Sequence, residues 1–134
     1  MNCYSRGQVW GTQDVGGLAG FNQATITNCY ATGLTIGGQR VGGLVAAKPA
    51  YYYSSATVTG SFWDIQTTRQ TTSEGGTGKS TIKMQSASTF LNAGWDFMGE
   101  TANGTEDIWR IDEGKDYPRL SWEVLSDPNA TAAR

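Results

Sequence analysis

Residues 2 to 27 of this chain are copied, without a gap, from residue 28 onward. The first copy reads NCYSRGQVWGTQDVGGLAGFNQATIT and the second opens NCYATGLTIGGQRVGGLVAAKPA. Asn2, Cys3 and Tyr4 fall on Asn28, Cys29 and Tyr30, Gly7 falls on Gly33, and Val15-Gly16-Gly17-Leu18 falls on Val41-Gly42-Gly43-Leu44. A unit this short cannot bury its own apolar side chains, so copies of it must stack.

Alternation of apolar and polar residues over Ile26 to Tyr30 and over Val41 to Val45 predicts short strands in each copy, separated by glycine turns. Stacked in parallel, Val15, Leu18, Val41 and Leu44 are expected to form inward ladders. The paired glycines are expected to serve positive φ or a close backbone approach rather than a ligand. A degenerate third copy is read at Val58-Thr59-Gly60-Ser61-Phe62, at an offset of 32 from Ile26 to Tyr30, the surplus being absorbed near Pro49 and Tyr51 to Tyr53. Cys3 and Cys29 at equivalent positions on adjacent coils would lie about 4.8 Å apart at Cα, within reach of a disulfide. A bridge and a ladder of buried thiols are both open.

Composition narrows the chemistry. Eighteen glycines with three prolines among 134 residues suit short strands and frequent turns. A net charge of −2 with scattered Lys and Arg lacks the footprint of a nucleic-acid binder. No apolar run is long enough to insert into a membrane, and any export signal is expected to lie outside these residues. With no histidine, both the Ser-His-Asp and Cys-His relays and the common Cys/His zinc patterns are excluded; no metal-ligating set is expected.

VGGLAGFN and VGGLV, each preceded by NCYSRG or NCYATG, resemble the GLUG motif of bacterial surface and secreted proteins over about the first 60 residues. Such repeats occur in large adhesin-like proteins and in some secreted peptidases. The resemblance implies a β-solenoid, an exported protein and a passive stalk or display role, with no catalytic residue. SFWDIQTT, GGTGKSTIKMQSASTF and GWDFMGETANGTEDIWRIDEGKDYPRLSWE resemble the segment that often follows GLUG arrays. At Ala46-Ala47-Lys48 the chain departs from the motif, where a further Gly-x-Asn is expected.

The expected fold is therefore mainly β: a short β-solenoid of glycine-rich repeats over 1–60, a C-terminal cap over 61–125 with one short helix and a few antiparallel strands, and a flexible tail over 126–134. Glu74 to Thr81 imitates a phosphate-binding loop, but Ser73 stands where its first glycine belongs. A glycine loop entering a helix capped by Ser80 or Thr81 is expected instead, with Met84, Ala87 and Leu91 facing inward and Gly94 ending it. Segments 94–97, 107–111 and 119–122 alternate as strands, with a turn over 112–116. A strand pair from them is expected to cover the last coil.

The functional expectation is a non-catalytic surface, adhesion or display module of an exported bacterial protein, at the cell surface or outside the cell. A glycan or other cell-surface ligand would meet it through Tyr51, Tyr52, Tyr53 and Trp63, whose rings offer flat apolar faces. Pairing of two copies through an exposed N-terminal coil would satisfy its edge. The alternative is a small hydrolase or lyase acting on esters, lactones or polysaccharides, with carboxylates as acid, base or nucleophile and calcium as a candidate cofactor. Its candidates are Asp64, Asp96, Asp107, Asp112, Glu113 and Asp116. A pure spacer is the third reading.

Overall fold

The computed structural model describes residues 1–50 and 55–123 and is mainly β. The first copy forms β1 (Tyr4–Ser5), β2 (Val9–Trp10), β3 (Gln13–Gly16) and β4 (Ala19–Phe21). The second forms β5 (Thr25–Thr27), β6 (Tyr30–Ala31), β7 (Thr35–Ile36), β8 (Gln39–Gly42) and β9 (Val45–Ala47). Each strand of the first copy pairs in parallel with its own repeat, so that Tyr4 faces Tyr30, Val9 faces Thr35, Val15 faces Val41 and Ala19 faces Val45.

The third copy is real and shorter. Its strands β10 (Thr57–Thr59) and β11 (Phe62–Asp64) pair in parallel with β5 and β6, joining Thr25 to Thr57 and Tyr30 to Phe62. Beyond them, the Thr35 and Gly43 N–H groups donate to the Thr68 and Thr72 carbonyls at 3.2 and 2.9 Å. A last parallel strand, β12 (Thr77–Lys79), lies on β11 and completes a sheet ordered β1-β6-β11-β12.

The repeat is carried down to single atoms. Asn2, Asn28 and Gly60 share a left-handed backbone at φ 54°, 53° and 54°, a conformation that asparagine and glycine tolerate best. One residue on, Cys3, Cys29 and Ser61 each donate to the carbonyl two residues back, at 3.3, 3.2 and 2.9 Å. Both cysteines are free thiols, Cys29 buried and Cys3 exposed, so the thiol ladder forms without a bridge and is buried only at its inner step. The next residues make an aromatic column in which Tyr4 stacks on Tyr30 at 5.0 Å and Phe62 follows in register.

Close approach, not positive φ, explains the paired glycines: a Cβ on Gly16 or Gly42 would enter the Ala19 or Val45 carbonyl, and one on Gly43 would enter the Trp63 indole. Val15 and Leu44 are buried and Leu18 and Val41 half-buried, which gives the inward ladder.

The C-terminal segment departs from expectation in two ways. The single helix is two, α1 (Thr81–Met84) and α2 (Ala87–Leu91), because Ser86 is extended between them at φ −114° and ψ 124°. Neither Ser80 nor Ser86 caps through its side chain; the Thr81 hydroxyl turns instead to Asp64, and Glu113 Oε1 accepts the Ala87 N–H at 2.8 Å. Phe90, fully buried, anchors the helical region with Met84, while Ala87 and Leu91 are only half-buried.

The second correction concerns position. The antiparallel pair β13 (Trp109–Arg110) and β14 (Arg119–Leu120) does not lie over the last coil, whose edge β12 occupies. It lies along the aromatic column. Trp109 packs at 6.3 Å from Tyr4 and 6.2 Å from Tyr30, its indole N–H donates to Asn2 Oδ1 at 3.4 Å, and the Tyr30 hydroxyl donates to the Pro118 carbonyl. One buried cluster therefore joins Tyr30 and Phe62 of the coils to Met84, Phe90, Trp95, Phe97, Trp109 and Tyr117. The tail 126–134 lies outside the described residues.

Candidate functional site

Asp64 ends β11 and is fully buried, which obliges the fold to satisfy it. Its Oδ1 accepts the Gln66 and Thr67 N–H groups at 2.9 and 3.1 Å, a turn typical of an aspartate at a strand end. Its Oδ2 accepts the Thr81 and Tyr117 hydroxyls, each at 2.7 Å. Four donors fill the four lone-pair sites a carboxylate offers, so none is left to move a substrate proton. Burial, and after it the neighbouring Asp64 carboxylate, push the Tyr117 phenol up to about 12.

Asp96 closes a loop in the same manner. It accepts the Glu106 and Asp107 N–H groups at 2.9 and 3.3 Å, and its carboxyl fills the space that a side chain at Gly104 would need. Asp107 and Asp112 are exposed. The Asp112 carbonyl accepts the Lys115 and Asp116 N–H groups at 3.1 and 3.0 Å and so makes the expected turn.

Asp116 belongs to an ionic latch between the first coil and the C-terminal segment. Arg119 Nε lies 3.0 Å and Arg6 3.4 Å from its carboxylate, and the Arg6 guanidinium sits over the Tyr117 ring at 5.2 Å. Burial opposes ionisation of Asp116, but the Arg119 and Tyr117 hydrogen bonds and the two cations outweigh it and hold the carboxyl below its ordinary value. Beside it the Tyr4 hydroxyl reaches both oxygens of Glu123, at 2.7 and 2.6 Å. Glu123, Arg6, Arg119 and Tyr117 carry no local signal for these roles, and Thr81, read in the sequence as a helix cap, is revealed as an Asp64 partner only in space.

The six candidate carboxylates are thus distributed over a buried turn, a loop closure, a helix start, a latch, an exposed turn at Asp112 and an exposed position at Asp107. Among the described residues no group of three or more Cys, Asp or Glu side chains is arranged to hold a metal ion.

The aromatic candidates divide. Trp63 is 5 % exposed, packed against Gly43 with its indole N–H donating to the Gln70 carbonyl at 2.8 Å, so it has no open ring face for a sugar. Tyr51, Tyr52 and Tyr53 lie outside the described residues. Ala50, immediately before them, borders an open cleft of about 380 Å³ whose polar groups come from Arg40, Lys48, Thr72, Ser73 and Glu74. Lys48 and Glu74 pair across it at 3.8 Å. Among the described residues, the aromatic rings that stand in solvent are Trp10, 68 % exposed and in register with exposed Ile36, Trp122, 76 % exposed, and Phe21, 49 % exposed. Strand alternation carries a signal for Trp10, since half-buried Val9 points the other way.

Comparison with known proteins bears on the coils. The family model described as the GLUG motif matches residues 11–37, from the end of β2 through β7. Over 66 residues, 49 % of this chain, the sequence is 46 % identical to a protein of Evansella cellulosilytica described as a Gly-rich membrane protein. The aligned stretch spans 7 % of that relative's length. No solved structure matches the chain. No helix among the described residues is long and apolar enough to cross a membrane.

Proposed function

We propose that this GLUG-motif chain is a non-catalytic display or adhesion module of an exported bacterial protein, held outside the cell or at its surface, and that its stacked coils are a short β-solenoid. The observation that carries the reading is the coincidence of the GLUG motif with coils paired in register, in a chain half of which aligns with a Gly-rich membrane protein. The burial and full hydrogen bonding of Asp64 support a structural use of its carboxylate.

The ligand in this reading is a glycan, bound through the ring faces of Tyr51, Tyr52 and Tyr53. Binding of the purified chain to an array of bacterial and host polysaccharides tests it, beside a variant with all three tyrosines changed to alanine. Binding lost in that variant is the expected result. Equal binding by both proteins moves the ligand elsewhere, and turnover of an ester or glycoside abolished by Asp107→Asn or Asp112→Asn overturns the passive module altogether.

A further inference from the structure

We infer that the edge of the first coil is a strand-addition site for one further coil of the same repeat, with a socket for that coil's aromatic side chain between Tyr4 and Trp122. Three features meet there. β1 is the edge strand of the four-stranded sheet. Tyr30 and Thr32 donate their N–H groups to the Cys3 and Ser5 carbonyls at 3.1 and 3.0 Å. By the repeat, the equivalent donors of the first coil are Tyr4 and Arg6, and they face the opposite side, where no described strand lies. Such a row of unpaired groups is a template for another strand.

The aromatic column supplies the specificity. At the first step below, the Tyr30 ring lies on the Tyr4 ring and beside Trp109 and Tyr117, and Phe62, next in register, packs against Phe90 and Trp95 of the C-terminal segment. One step above Tyr4 the C-terminal segment continues to offer such a wall. A groove of about 590 Å³ opens there, lined by Asn2, Cys3, Tyr4, Leu120, Trp122 and Glu123. The Trp122 ring is 76 % exposed, an unusual cost for the largest apolar side chain in a small protein. A coil with a tyrosine one place after its Asn-Cys pair would present its ring to this groove while its backbone pairs with β1. The register is continuous with the interface that already joins β1 to β6.

The test inserts an additional copy of residues 2–27 directly before Asn2, so that its final threonine leads into Asn2 as Thr27 leads into Asn28. Acrylamide quenching, with the Trp122 contribution isolated by Trp122→Phe, reports on the groove, and thermal melting reports on the stack. The expected result is a severalfold fall in Trp122 quenching and a higher melting temperature, both lost when the inserted coil's tyrosine is changed to alanine. Unchanged quenching overturns the inference, as does shielding that survives the tyrosine change. Trp122 already shielded before the insertion also overturns it: dependence on protein concentration assigns the groove to a second copy, and independence assigns it to the chain's own remaining residues.

Discussion

Asp64 and Tyr117 are 53 positions apart, yet one hydrogen bond between them ties the third coil to the C-terminal segment. Removing the carboxylate in Asp64→Ala leaves two N–H groups and two hydroxyls without their buried acceptor, at about 1–3 kcal/mol for each group left unsatisfied. Partial relaxation reduces the sum, and a loss of about 3 kcal/mol in urea unfolding is expected. A loss below about 1 kcal/mol would show that Asp64 is not structural.

Tyr117 adds a pH dependence of definite sign. Its folded value, about 12, lies above the ordinary 10.0, so the neutral phenol stabilises the fold fully below pH 10 and that contribution is lost as pH rises between the two values. Tyr117→Phe should flatten the alkaline fall in melting temperature, since a phenylalanine has nothing to ionise. Asp116 acts at the acid end: its lowered value gives a stabilisation present above the ordinary carboxylate range and lost as pH falls through the lowered one. Nothing in the sequence around Asp64 marks it off from Asp107, because the distinction lies in donors from Thr81 and Tyr117 that the chain delivers from elsewhere.

Among the elements, the strands were legible and the helices less so. The offset of 26 predicts the pairing of Tyr4 with Tyr30 and Val15 with Val41 because parallel stacking of identical units admits one register that aligns their ladders. At the break between α1 and α2, Glu113 accepts the Ala87 N–H from 26 residues away, a contact that no helical spacing encodes. For the same reason the apolar spacing selected Ala87 and Leu91 where packing selected Phe90. Tight coil contacts make a further prediction. Gly43→Ala drives a methyl into the Trp63 indole and should cost about 1–3 kcal/mol by overpacking, with a shift in Trp63 emission. Gly7→Ala meets no atom within 4 Å and should be near neutral in the same melt.

The described residues bury two apolar clusters, one inside the coils around Leu44, Val45 and Trp63 and a larger one that joins the two textures of the sequence. The boundary placed at 60 and 61 precedes β11, which pairs with β6 on one side and β12 on the other. Rings from both halves bury one another, with Trp95 and Trp109 at 4.5 Å and Tyr30 beside both. Alternation foretold the strand pair but not its place, because such a pair can satisfy its apolar face equally well over a coil end or along a coil side. Lying along the side, the C-terminal segment makes the stability of the coils depend on it.

That dependence is tested by following urea unfolding of the full chain with far-ultraviolet circular dichroism and tryptophan emission together, in the parent and in Trp109→Ala. Coincident single transitions are expected in the parent, and a loss of about 3–5 kcal/mol seen equally by both probes in the variant. Separate transitions, or a strand signal that Trp109→Ala leaves in place while the emission signal collapses, would contradict a cluster shared by the coils and the C-terminal segment.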